Sequence, residues 1–147
     1  MIGYVITGHG EFAPGMLKAL QMIAGPQEKL EIVAFKEGEP LEEYESEVRQ
    51  AIAHTLEETE GVIVFSDLLG GTPFRTAMLA AADFKNVQVL TGTNLPMLIE
   101  ISMLRMFETD AVNLATRATE IGKEGVQHVR LSDLEPESQD TEDSEGI

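Results

Sequence analysis

The sequence predicts an α/β fold: a doubly wound, mostly parallel sheet with helices on both faces. Three observations predict it. Short apolar runs rich in β-branched residues alternate with longer segments whose apolar residues recur at steps of three and four. The 147 residues, 43% of them apolar, suit one domain with a core large enough to fold alone. No internal repeat and no linker interrupts the pattern before residue 132.

The elements follow in order. IGYVIT (2–7) is a short apolar run fit for a buried strand. Phe12, Met16, Leu20 and Ile23 then share a helical face, and Gly-Pro-Gln at 25–27 ends that helix. EIVAF (31–35) reads as the second strand. EPLEEYESEVRQAIAHTLEE places Leu41, Tyr44, Val48, Ile52 and Leu56 on one face with acids opposite, a surface helix. VIVFS (62–66) is the third strand. TPFRTAMLAAADF is a helix with Thr72 as N-cap and Pro73 at its first position. VQVLT (87–91) is the fourth strand, LPMLIEISMLRMF and DAVNLATRATEIGKEG are two more helices, and VQHVRL (126–131) is a last short strand. Met16, Met22, Met78, Met97, Met103 and Met106 sit mostly at core spacings and read as filler.

Acids outnumber bases 26 to 10, a formal charge of −16. The last fifteen residues hold seven acids and no Lys or Arg, which leaves −9 for the body. The domain is therefore expected over 1–131, and 132–147 reads as an acidic, disordered, solubilising tail. The body is still too acidic to favour nucleic acid or an anionic membrane as a partner. Without cysteine, disulfides and thiolate metal sites are excluded. No apolar run reaches the ~20 residues of a membrane span, and MIGYVITGHG reads as a strand and not as a signal peptide, so the cytoplasm is expected. The three histidines are scattered and suggest no metal triad; no cofactor is expected.

In such sheets ligands bind beyond the carboxyl ends of the strands. That singles out TGHG, SDLLGGTPF and TGTNLP, which follow the first, third and fourth strands. If the first and third strands are neighbours, His9 and Asp67 share a rim. The carboxylate can then accept one imidazole N–H, fix the tautomer and leave the other ring nitrogen with its lone pair outward. Gly70 and Gly71 lack Cβ atoms, so their N–H groups can approach an oxyanion, and the following helix points its positive end there. Thr72 can cap or donate its hydroxyl. These parts suit a phosphoryl group on His9, whose transfer is mostly positioning and electrostatics. Singly, each signal is weak. Gly-His-Gly alone reads as a turn, Asp67 as a cap, and Gly-Gly-Thr-Pro as a common helix start. The residues by themselves leave open an anion or phosphoryl site and plain loop punctuation. Arg75 reads equally as a phosphate ligand, a contact for a partner's acid, or half of a surface ion pair. His54 reads as solvated, and His128 as packing or facing solvent.

Together, VITGHGEFAPGM, VFSDLLGGTPFRTA and VLTGTNLPMLIE resemble the enzyme IIA component of the mannose family of the bacterial phosphoenolpyruvate-dependent sugar phosphotransferase system. The resemblance runs in order over about residues 1–131. It implies a protein that takes a phosphoryl group from phospho-HPr onto a histidine and passes it to a IIB protein, which serves a membrane IIC/IID complex. His9 matches the phosphorylated histidine, Asp67 its hydrogen-bonded partner, and Gly71 and Thr72 the phosphate-holding loop. The resemblance also implies a homodimer in which the last strand, here VQHVRL, is exchanged onto the partner's sheet edge. Many members have Asn where this chain has Arg75, and GGTPFR with TGTNLP looks closer to the branch for N-acetylgalactosamine or galactosamine. The acidic tail has no counterpart, and the expected IIB is a separate protein.

Other readings fit less well. GHGE echoes the Arg-His-Gly-Glu of histidine phosphatases, but Thr7-Gly8 replaces the arginine. The glycines of GHGEFAPG have the wrong spacing for a dinucleotide fingerprint, and GGTPFR is not a Walker A loop. A phosphodonor to a dihydroxyacetone kinase and a regulatory module sensed through its phosphorylation state stay as alternatives with the same site.

Overall fold

The computed structural model describes residues 1–136, so most of the predicted tail lies outside the described residues. The described residues form four strands and five α-helices, alternating as far as α4: β1 (Ile2–His9), α1 (Phe12–Ala24), β2 (Leu30–Phe35), α2 (Leu41–Leu56), β3 (Gly61–Phe65), α3 (Gly71–Ala81), β4 (Val87–Leu90), α4 (Leu95–Leu104) and α5 (Ala111–Glu124). The sheet order is β2-β1-β3-β4, and every pairing is parallel. This is the predicted α/β class.

Successive side chains of a strand point to opposite faces, and the core divides accordingly. Tyr4, Ile6, Ile63 and Phe65 pack with Leu20, Leu98, Ile101 and Leu114 of α1, α4 and α5. Val5, Val62 and Val64 pack with Tyr44, Val48, Ile52 and Ala77 of α2 and α3. Because both faces are covered, the central strands read as continuous apolar runs without alternation. The chain leaves β1 towards β2 on one side and returns to β3 on the other, so the rim between β1 and β3 is the topological switch point.

Several boundaries differ from expectation. β1 runs two residues past the apolar run, through Gly8 and His9, because its ladder with β2 continues to the pair His9↔Phe35. The predicted Thr72 cap is corrected: α3 starts at Gly71 with Gly70 as N-cap, and no side chain caps it. Gly70 and Gly71 have φ of 101° and 78°, left-handed values that glycine adopts freely and that turn the chain into the helix early. Pro73 then falls third in the helix, still in the turn whose N–H groups have no carbonyl behind them. The helix predicted over 95–107 ends at Leu104 and tightens into a 3-10 turn at Arg105–Phe107. Arg105 turns inward there and is 2% exposed. Its guanidinium lies 4.4 Å from the centre of the Tyr4 ring and donates to the carbonyls of Lys29 and Glu28. That clamp sits at the end of the sheet opposite His9.

Within its own chain the segment expected as a last strand is unpaired, and the reading of the methionines as core filler is corrected. Residues 126–130 form no strand and lie exposed, and Leu131–Leu134 make a 3-10 turn. A strand exists only by bonding to a neighbour, and this segment pairs with neither sheet edge of its own chain. Of the methionines, Met97 is buried, whereas Met22, Met78, Met103 and Met106 are exposed; helical spacing places a residue on a face without saying that the face is covered. No helix of the described residues is long and apolar enough to cross a membrane.

Candidate functional site

His9 ends β1, and Asp67 follows β3 by two residues; the two strands are adjacent, so both stand on one rim. The ring Nδ1 lies 2.7 Å from Asp67 Oδ2, and the His9 backbone N–H donates to the same oxygen at 2.9 Å. Leu68 N–H donates to Asp67 Oδ1 at 2.9 Å. An ionised carboxylate only accepts, so Nδ1 carries the proton and Nε2 keeps its lone pair. Burial works to raise the Asp67 pKa, but the His9 backbone N–H, the His9 ring and the Leu68 N–H outweigh it and hold the carboxyl below its ordinary value. The side chain of Asp67 is 9% exposed and that of His9 47%: the carboxylate is sheltered while the imidazole can reach a partner.

The glycines explain how the groups come so close. A Cβ on Gly8 would stand 3.0 Å from the Asp67 carboxyl carbon and 2.7 Å from the Phe12 ring, so a side chain there would push Asp67 away. A Cβ on Gly71 would stand 3.3 Å from His9 Cε1 and 3.5 Å from Nε2, which puts the start of α3 against the outward side of the ring. The N–H groups of Gly71 and Thr72 belong to the first turn of α3, where the positive end of the helix dipole lies.

Of the predicted residues, the structure thus brings His9, Asp67 and Gly71 together. Gly70 and Thr72 flank Gly71 in the same turn without a side-chain bond to His9. The TGTNLP loop has a supporting role. Thr93 Oγ1 donates to Ser66 O at 2.7 Å and so holds the residue before Asp67, while Asn94 caps α4 by accepting from Met97 N–H. Arg75 is exposed and makes no ion pair among the described residues. His54 pairs with Glu31 away from the site. Among the described residues no cluster of three or more His, Asp or Glu side chains could hold a metal. A groove of about 580 Å³ runs along the free edge of β2, lined by Glu31, Val33, Lys36, Glu47 and His54. His9 does not line it. The half-exposed His9 ring stands on the rim at the end of the sheet, outside this groove.

Residues missed by sequence reasoning lie behind the imidazole. The Phe35 ring meets the His9 ring edge-to-face, with centres 6.0 Å apart and planes at 74°. Phe35 packs in turn on Tyr44 at 4.7 Å. Thr7 Oγ1 donates to Val33 O at 2.6 Å, so its hydroxyl receives the Tyr44 proton. Burial pushes the Tyr44 phenol up to about 12, which keeps it a neutral donor. Parallel pairing sets Phe35 level with His9, but only the strand order reveals it.

Gly71→Ala is expected to lower stability by ~1–2 kcal/mol, because φ is left-handed there, and to shift the His9 ring resonances because the new methyl touches Cε1. Thermal melting and ring NMR check this; wild-type values in both would remove the close approach.

An open, doubly wound sheet with a histidine–carboxylate pair at its switch point defines the class. The family model described as PTS system fructose IIA component matches residues 3–119. The chain belongs to that family, the mannose-type IIA components of the sugar phosphotransferase system. It is 34% identical over 134 residues to the mannose-specific EIIAB component of Escherichia coli K12, covering 91% of this chain and 41% of that one. The chain thus spans about two fifths of the EIIAB relatives' length. It is also 34% identical to the fructose-specific EIIA component of Bacillus subtilis, covering 71% of each chain. The crystal structure of an EIIA component from Streptococcus agalactiae superimposes with a TM-score of 0.76 at 31% identity, over 90% of this chain and 99% of that one. A mannose/sorbose-specific IIA subunit from Enterococcus faecalis gives 0.73 at 30% identity, over 93% and 98%.

Proposed function

We propose that this chain is a phosphocarrier whose His9 accepts a phosphoryl group from phospho-HPr and hands it to IIB, which phosphorylates a sugar as a IIC/IID complex imports it. The observation that carries the reading is the 2.7 Å bond from Nδ1 to Asp67, which leaves Nε2 as the nucleophile beside Gly71. In the step, Nε2 forms a bond to phosphorus as the N–P bond of phospho-HPr breaks in line. The leaving imidazole keeps its electron pair, and the His9 proton stays on Nδ1, donated to the Asp67 carboxylate. The N–H groups of Gly70, Gly71 and Thr72 stabilise charge on the equatorial oxygens. Exposed Leu68 and Leu69 beside Asp67 give a protein partner apolar surface to dock on.

The proposal places the protein in the cytoplasm as a homodimer, with 126–131 paired to the partner's sheet. Support comes from the free sheet edge at β4 and from exposed Val126, Val129 and Leu131. It keeps the N-acetylgalactosamine or galactosamine branch suggested by GGTPFR and TGTNLP, although the relatives above are named for mannose, fructose and sorbose.

Incubated with phospho-HPr, the chain is expected to acquire one acid-labile, alkali-stable phosphoryl group that drains when IIB is added. Absence of the adduct overturns the reading. An adduct that passes to no IIB protein supports instead a module whose phosphorylation state is sensed.

A further inference from the structure

We propose that Phe35 is a positioning residue for transfer at His9: its ring, wedged between Tyr44 and the imidazole, holds the imidazole in the orientation that keeps Nδ1 on Asp67 and Nε2 beside Gly71. The inference rests on the phosphocarrier reading above.

One hydrogen bond does not fix an imidazole. The χ2 torsion of histidine is broad and roughly two-fold, so a ring held only at Nδ1 can tilt about that bond. His9 is also half exposed, so solvent offers Nδ1 a competing acceptor. A second contact is needed, and Phe35 supplies it edge-to-face at 6.0 Å, within the range in which such aromatic pairs attract.

The placement is built into the sheet. His9 and Phe35 are Cα partners at the end of the β1–β2 ladder, and Gly10 N–H donates to Phe35 O at 2.9 Å just beyond it. The Phe35 backbone therefore moves with the backbone that carries His9. The phenyl ring is fixed from behind by Tyr44, which is fully buried and tied through its hydroxyl to Thr7. Thr7 is bonded on to Val33 of β2. The wedge is thus anchored in the core two residues before the histidine it supports. Its chemistry also fits. A phenyl ring offers no strong acceptor to draw the Nδ1 proton from Asp67, whereas a carboxylate or carboxamide at this place would compete for it.

Without the ring, the imidazole spends only part of its time in the competent orientation, and the turnover rate falls in proportion. Docking of phospho-HPr uses the exposed rim and is unaffected. Phe35→Leu and Phe35→Met, which both keep an apolar side chain, are expected to lower kcat for phosphoryl acceptance by ~10–100-fold with KM little changed, while Phe35→Tyr restores it to within ~3-fold. In NMR spectra of the unphosphorylated chain, the His9 Nδ1–H signal should broaden in the Leu and Met variants and stay sharp in wild type and Phe35→Tyr. Wild-type kcat in both apolar variants overturns the proposal, and so does a lowered kcat with an unchanged Nδ1–H signal. If wild type itself takes no phosphoryl group, the phosphocarrier reading falls, and the ring signal still decides whether Phe35 orients His9.

Discussion

His9→Ala is expected to bring phosphoryl acceptance from phospho-HPr down to background. Loss of an enzymic nucleophile costs ~10⁶-fold where it has been measured, and nothing near this rim can replace an imidazole. Asp67 is sheltered and committed to three N–H groups. The other histidines lie elsewhere: His54 stands on α2 beside Glu31, and His128 follows α5 in the exposed segment 126–130. The fold should survive. Asp67 loses its ring partner but keeps the backbone N–H groups of residue 9 and Leu68, so the cost is ~1 kcal/mol. Labelling by phospho-HPr, alongside a thermal melt, reads both effects. A phosphoryl group still bound in the alanine variant would move the reaction to another residue and end the case for His9.

The sheet and the meeting of His9, Asp67 and Gly71 at the candidate site were legible because the signals were redundant. Val5, Ile6, Val62, Ile63, Val64 and Phe65 are buried from both faces, and such strands have no other reading than apolar runs. Once β1 and β3 are neighbours, His9 and Asp67 have to share a rim, and their separation along the chain is no obstacle. What escaped depended on conformations that residue type does not announce. Thr72 has the chemistry of a cap, yet Gly70 and Gly71 adopt left-handed backbone and start α3 before the threonine can act. VQHVRL has strand composition yet bonds to neither free edge of its own chain's sheet. Exposed Met22 and Met103 carry core spacing on faces that their own chain leaves uncovered. Phe35 reads as an ordinary end of a strand until the register sets it beside His9.

Asp67→Asn tests the proposed hold on the His9 tautomer with a near-isosteric exchange, and its expected effect is a ~10²–10⁴-fold fall in transfer rate with the fold intact; the upper figure is that for the same exchange in a serine protease. The reason is donor arithmetic. The carboxylate accepts from Leu68 N–H on one oxygen and from both His9 N–H groups on the other. A carboxamide has one acceptor oxygen and one donor NH₂. If its oxygen stays on Leu68, its NH₂ faces Nδ1, which must then become the acceptor. The ring proton moves to Nε2, and the attacking lone pair is lost. If the amide flips, its NH₂ opposes the Leu68 N–H instead, and no charge remains to stabilise the imidazolium character that grows during transfer. The same exchange has a pH signature. Asp67 is held below the ordinary carboxylate range, so the stability it contributes is present above ~3.9, the unfolded value, and disappears as pH falls through its own lower pKa. Wild type should therefore melt higher than Asp67→Asn near neutrality, with the gap closing in acid. A pH-independent gap, or a variant that transfers phosphoryl at the wild-type rate, would show that the carboxylate does not set the tautomer of His9.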